Sequence, residues 1–272
     1  MLKFLQSRKI DTSRTKEFMA ANEAQAYPVT RFNFINDHRG MRPGMMHVLM
    51  GTTGSGKTTM ARAILADLSQ GCKILYYSSE ETAEQFQAQA GYANKINFEN
   101  ISFVHETDAL RECSGKDDIE GFIKFLNWEL DATNSDLLFF DNITTSVFYD
   151  QNKRAIDCAT KLRAVMVQKR IPFFVVAHTG SLVRDGTWFD ASNMRGFRSI
   201  ANTAEYFYCL FRFRAVVGGY TQSASFIHVE KSMMHSNAKY IYKLFYDSAT
   251  RDYTSEQPED YSKCIEYLKK GK

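Results

Sequence analysis

Residues 45 to 68 read MMHVLMGTTGSGKTTMARAILADL, an apolar run that enters a glycine-rich turn and leaves as a helical pattern. The turn fits G-x-x-x-x-G-K-[ST] as Gly51, Thr52, Thr53, Gly54, Ser55, Gly56, Lys57 and Thr58, with Thr59 next. Glycines let the backbone curl so that successive N–H groups aim at phosphate oxygens, and the following helix adds the positive end of its dipole. Lysine reaches the β- and γ-phosphates, and the Thr58 hydroxyl faces Mg2+. A strand before and a helix after are the context this motif requires, which disfavours a chance glycine turn. These residues imply a nucleoside triphosphate with Mg2+ as the bound species and leave open what its hydrolysis drives.

Working outward, strand-like apolar runs alternate with helical segments from residue 44 on, the pattern of a mostly parallel sheet with helices on both faces. The expected strands are 46 to 51, 72 to 79 (CKILYYSS), 101 to 106, 136 to 142 (DLLFFDN) and 171 to 180 (IPFFVVAHTG). Helices are expected over 57 to 69, 80 to 95, about 118 to 131 and 152 to 169. After a loop at 180 to 194 the pattern changes to consecutive strands with tight turns, in SIANTAEYFYCLFRFR, SASFIHVEKS and KYIYKLFYD. The fold class is α/β, with a C-terminal β-hairpin extension. The tail EQPEDYSKCIEYLKKGK is expected as a peripheral helix over 256 to 272.

A phosphate-binding loop needs a second carboxylate to hold the magnesium shell, at the C-terminal end of a buried strand. Asp141, which closes LLFFD, fits; an ordinary strand-end aspartate capping a turn is the plainer alternative. Hydrolysis also needs a group to orient water. Glu80 and Glu81 leave the sheet on the same edge, and Glu80 is preferred, with Glu81 as alternative. Two acidic residues there also suit a helix N-terminus. His178 ends the next strand on that edge, where a polar group can sense the γ-phosphate, although a lone histidine is as often structural.

With 272 residues, 44% of them apolar, the chain can bury one sizeable core. A formal charge of +3 neither requires nor excludes nucleic acid. The five cysteines are scattered, with no C-x-x-C pair to suggest a metal site or redox motif, which points to a reducing compartment. No run approaches the ~20 apolar residues of a membrane span, and the N-terminus carries charges where a signal peptide is apolar. A soluble, cytoplasmic protein without a membrane partner is expected.

In order and type these parts resemble the RecA-type ATPase core, most closely the C-terminal domain of DnaB-type replicative helicases and the small plasmid RepA helicase. ILYYSSEETAEQFQAQA resembles the family's second motif and FFVVAHTG its third, with His178 where glutamine is usual. MRGFRSIANTAEYFYCLFR resembles the fourth through Arg195, Ile200, Ala204 and Arg212, with Glu205 where aspartate is usual. HVEKSMMHSNAKYIYKLFYDSATRDY resembles the closing hairpin. The resemblance covers about residues 35 to 255, the expected ATPase domain, and leaves 1 to 34 as an oligomerisation arm. Phe18, Met19, Ala20 and Ala21 in that arm are similar to the linking strand of recombinases.

The resemblance implies a head-to-tail homo-oligomer, as a hexameric ring or a filament, that hydrolyses ATP and moves on single-stranded DNA during replication. It implies that Lys231 reaches the neighbour's γ-phosphate, while Met233 stands where an arginine finger is usual, so either Arg212 or Arg214 substitutes or hydrolysis is weak. It implies DNA contacts from two loops, SVFYDQNKR at 146 to 154 and GSLVRDGTWFDASNMRGFR at 180 to 198. Lys153, Arg154, Arg184, Arg195 and Arg198 would meet phosphates, and Trp188 or Phe189 would stack on bases. A primase or loader would be a separate protein. The alternatives are a recombination or annealing ATPase that forms DNA filaments, and a KaiC-like regulatory ATPase that never touches DNA.

Overall fold

A computed structural model describes residues 29–37, 40–90, 95–149, 152–180, 183, 187–195, 199–217, 220–233 and 240–259. Their elements run in the order α1 (Asn33–Asn36), β1 (Met46–Gly51), α2 (Lys57–Leu68), β2 (Ile74–Ser78), α3 (Ala83–Ala90), β3 (Ile101–His105), α4 (Glu106–Glu112) and α5 (Ile119–Ala132). There follow β4 (Leu137–Asp141), α6 (Asn152–Lys169), β5 (Phe173–His178), α7 (Ser199–Thr203), β6 (Tyr206–Val217), β7 (Tyr220–Ser232), β8 (Tyr240–Asp247) and β9 (Asp252–Glu259).

All nine strands join one sheet in the order β3, β2, β4, β5, β1, β6, β7, β8, β9. The pairs from β3 to β6 are parallel, and those from β6 to β9 antiparallel. Near-continuous apolar strands make this possible, because alternate residues feed opposite faces. Leu75, Tyr77, Leu138 and Phe140 pack under α5, α6 and α7. Ile74, Tyr76, Leu137 and Phe139 pack on the other face with α1 and α2. The sheet is therefore covered on both sides, and its parallel strands end on one edge. Gly51 lies opposite His178, and Ser78 opposite Asp141.

Several expected boundaries shift for local reasons. The helix expected over 80 to 95 is confined to Ala83–Ala90 among the described residues, so Glu80 and Glu81 precede it. A helix at Glu106–Glu112 occupies a stretch expected as polar loop; His105 caps it by accepting from Thr107 N, and Asp108 accepts from His105 N in return. Residues 199 to 203 form α7 rather than the start of a strand. The strand β9 continues to Glu259, where the tail helix was expected to have begun at 256. Its polar sequence follows from its place at the sheet edge, where Pro258 is tolerated and pairing with β8 rather than burial sets the register. The expected arm also joins the core at its end: Phe32 and Phe34 are fully buried, and Arg31 pairs with Asp67 and Asp252. Phe18 to Ala21 and the tail beyond 259 lie outside the described residues.

Candidate active site

The turn after β1 is built around close approach. A Cβ on Gly51 would sit 2.6 Å from Ser55 Oγ and 3.0 Å from Leu210 O, so a side chain there would collide with the turn and with β6. Gly56, the residue before α2, has φ of 96°, a conformation that side-chain-bearing residues rarely adopt. Thr53 and Gly54 are exposed while Thr52 and Ser55 are buried, so the loop presents its crest to solvent; Thr58 and Thr59 are half-buried on the first turn of α2. Lys57 is buried, and its Nζ donates to Thr52 O at 2.8 Å. Burial pulls its ammonium down to about pKa 8, against the opposing pull of Glu80 and Asp141.

The carboxylates and the histidine come to this edge from three other strands. Backbone N–H groups of Glu80 and Glu81 donate to Ser78 Oγ at 3.3 and 3.0 Å, which fixes the turn that leaves β2. Glu80 Oε1 stands 3.0 Å from His178 Nε2, and Thr145 Oγ1 donates to it at 3.2 Å. The His178 hydrogen bond is the main cause that holds the Glu80 carboxyl below its ordinary range. Glu81 takes a different partner: Arg62 on α2 donates to both of its oxygens at 2.7 and 2.8 Å. The two adjacent glutamates are thus separated by environment. Glu80 faces the open edge, and Glu81 ties β2 to α2.

Asp141 is buried at the end of β4, where the Tyr76 hydroxyl donates to its Oδ2 at 2.8 Å. Burial raises its carboxyl to about pKa 6, the Tyr76 hydrogen bond pulling the other way. Thr58 and Asp141 offer hard oxygen donors at this edge, the ligand chemistry that suits Mg2+. Beside the first turn of α2 lies a cavity of about 330 Å3, lined by Gly56, Thr59, Arg212, Tyr246 and Tyr253 among others.

Other expected residues are held elsewhere. Lys231 pairs in register with Phe207, which stands level with Val48, three residues short of Gly51. Its Nζ donates to Asn202 O at 3.3 Å, away from its own phosphate loop. Arg212 Nη1 donates to Gly54 O at 3.4 Å, which places this arginine beside the loop of its own chain. Among the loop cations, Arg154 is held by the fold. It is buried, ion-paired with Asp117 at 2.6 Å and donating to Lys116 O, because it starts a helix packed against the segment before α5. Trp188 and Phe189 pack against Phe211 at ring distances of 4.6 and 4.2 Å; Phe189 is buried, and Trp188 is half-buried with one face on Phe211. Arg195 is exposed, and its backbone N–H donates to His178 O at 2.8 Å, which sets it beside the candidate site. Arg184, Arg198 and the side chain of Lys153 lie outside the described residues.

Sequence reasoning did not single out Tyr76, Arg62, Thr145 or Tyr253. Alternation alone puts Tyr76 on the face of Ser78, but only the pairing of β2 with β4 brings it to Asp141. Tyr253 reaches Gly56 from β9, across the whole antiparallel half, and no local pattern announces it.

No protein-family model matches the sequence, and no curated protein matches it significantly. Similarity appears in the fold. A KaiC-like protein from the hyperthermophilic archaeon Pyrococcus horikoshii OT3 superposes with a TM-score of 0.62 at 13% identity, over 85% of this chain and 97% of that one. Because 549 solved chains match in all, the fold is a common one and does not select a use. The class defined by fold and topology is RecA-like α/β, with a mostly parallel sheet extended by antiparallel strands. Among the described residues no helix is long and apolar enough to cross a membrane.

Proposed function

We propose that this chain is a RecA-fold ATPase that uses ATP with Mg2+ at the edge formed by β1, β2, β4 and β5. The observation that carries this reading is the meeting there of the Gly51 to Thr58 turn, buried Lys57, the Glu80 and His178 pair, and Asp141. Backbone N–H groups of the turn and Lys57 hold the phosphates, and the cavity beside Gly56 seats the nucleoside. Thr58 and Asp141 hold the cation, which would supply charge neutralisation on the phosphates. Glu80 orients the attacking water, and its bond to His178 links the γ-phosphate position to the segment leaving β5. Lys231 faces away from its own loop, so it serves the site of a neighbour in a head-to-tail assembly.

For what the ATPase does, we favour a KaiC-like use in which nucleotide state alters a protein assembly. The internal packing of Arg154, Trp188 and Phe189, which engages residues that the DNA reading assigns to the nucleic acid, supports it. The second reading is a motor on single-stranded DNA of the DnaB or RepA kind. Its support is the resemblance of residues 194 to 212 and the exposure of Arg195 beside His178.

One measurement serves both: ATP hydrolysis by the full chain with and without single-stranded DNA, with the particle mass followed in parallel. Hydrolysis that Lys57→Ala lowers by on the order of 100-fold or more is expected. No hydrolysis by the wild type in any oligomeric state defeats the ATPase reading. A rate indifferent to DNA but dependent on assembly favours the regulatory use, and stimulation by DNA favours the motor.

A further inference from the structure

A second group of chemistry-bearing side chains meets on the antiparallel half of the sheet. Cys209 of β6 and His228 of β7 are register partners. The pairing then passes from Val229 to Lys231, which leaves Glu230 as the extra residue of a β-bulge. Bulges re-aim side chains, and this one leaves Glu230 Oε2 3.4 Å from Cys209 Sγ. One donor atom from each of Cys209, His228 and Glu230 lies within 4.8 Å of the other two. Cys209 and His228 are 0% and 1% exposed.

We propose that Cys209, His228 and Glu230 form a binding site for a divalent transition-metal ion, with Zn2+ the best match. Thiolate, imidazole and carboxylate are the donors zinc takes, whereas Mg2+ and Ca2+ do not select a thiolate. Around a tetrahedral zinc, sulfur and oxygen donors stand roughly 3.5 Å apart given the usual bond lengths. The separation of Cys209 and Glu230 already matches that spacing. These three donors leave a fourth position, which a water would fill in a tetrahedral shell.

The site has a structural consequence. Ala191 N donates to Glu230 Oε2 at 2.9 Å, and the Trp188 ring stands 4.9 Å from that of His228. A bound ion would fasten residues 188 to 191, part of the chain that leaves β5 after His178, onto β6 and β7. The role is one of anchoring, and it does not depend on what the chain hydrolyses. The competing account is that the Cys209 thiol donates to Glu230 and the three side chains are ordinary packing.

The test uses the full chain without a polyhistidine tag, dialysed against Zn2+ and then against metal-free buffer, with bound metal measured by mass spectrometry. Co2+ in place of Zn2+ reports thiolate ligation through its near-ultraviolet charge-transfer band. One retained ion per chain and that band are expected, both reduced roughly tenfold or more in Cys209→Ser and in Glu230→Gln. Zn2+ should also raise the melting temperature of the wild type and of neither variant. If Cys209→Ser does not fold, Glu230→Gln alone decides. Absence of retained metal in the wild type, or a band and a Zn2+ shift unchanged in the folded variants, overturns the site.

Discussion

At the ends of β2, β4 and β5, Glu80 meets the ring of His178 and Asp141 takes the hydroxyl of Tyr76, all turned toward the P-loop edge. One loop further along the same chain, Arg154 turns back into an ion pair with Asp117, and Trp188 lies flat on Phe211. Both groups follow buried strands, and both contain residue types that can meet a ligand. They differ in whether folding already satisfies them. A buried Arg154 with a carboxylate partner is part of the structure. Glu80 is 38% exposed and shares one oxygen with a histidine and a threonine, so its other oxygen can meet a water.

The largest effect that tests this contrast lies within a single dipeptide. On the proposed reading, Glu80→Gln removes the group that orients water while leaving the phosphate loop intact. Turnover should fall by on the order of 100-fold with nucleotide affinity within a few-fold of the wild type. Glu81→Gln instead weakens the tie to Arg62, and its main result should be a lower melting temperature with turnover changed less than about tenfold. Turnover and fluorescent-nucleotide binding on both variants check this. A Glu81→Gln protein that binds but does not turn over would exchange the two roles.

Most of this edge is legible in the sequence because each part is local. The glycine turn is contiguous, and Asp141 and His178 each close a buried apolar run that ends where parallel strands expose their ligand edge. Which of two adjacent glutamates faces that edge is not local, since it is decided by Arg62 reaching Glu81 from α2. The same limit hides Tyr76, which depends on strand order, and the meeting of Cys209 with Glu230, which depends on a bulge. The setting of Arg154 is hidden for a related cause. Asp117 is 37 residues from Arg154 in sequence, and its pairing required the packing of α6 beside the segment before α5.

A smaller effect concerns Asp141 and pH. Its folded pKa, about 6, lies above its ordinary value of 3.8, so between those values the folded chain holds a proton the unfolded chain has lost. Without cation, stability should therefore fall as pH rises from about 4 to 6. Cation binding runs the other way, because it requires the carboxylate. From pH 7 to pH 5 the ionised fraction of such a group drops roughly tenfold. Taking the ratio of Mg2+-ATP affinity in the wild type to that in Asp141→Asn removes the titration of the nucleotide itself. That ratio should fall by about tenfold over this range; a flat ratio would remove Asp141 from the cation site.

The smallest effect separates the two regions most directly, and it pairs Arg154 with Arg195. Arg154→Ala deletes a buried stem and an ion pair whose carboxylate is 80% exposed, so the loss should be about 1 to 2 kcal/mol, most of it packing. That corresponds to a melting temperature lower by a few degrees in a chain of this size. If the side chain serves only the fold, the response to single-stranded DNA, whether stimulation or indifference, should be the same as in the wild type once the protein is kept below its new transition. Arg195→Ala gives the opposite pattern under the motor reading: unchanged stability, because the backbone bond to His178 survives, together with weaker DNA dependence and a shallower salt slope. A loss of DNA response in Arg154→Ala without any loss of stability would mean that the ion pair with Asp117 opens on binding, and the distinction between the two regions would fail at that residue.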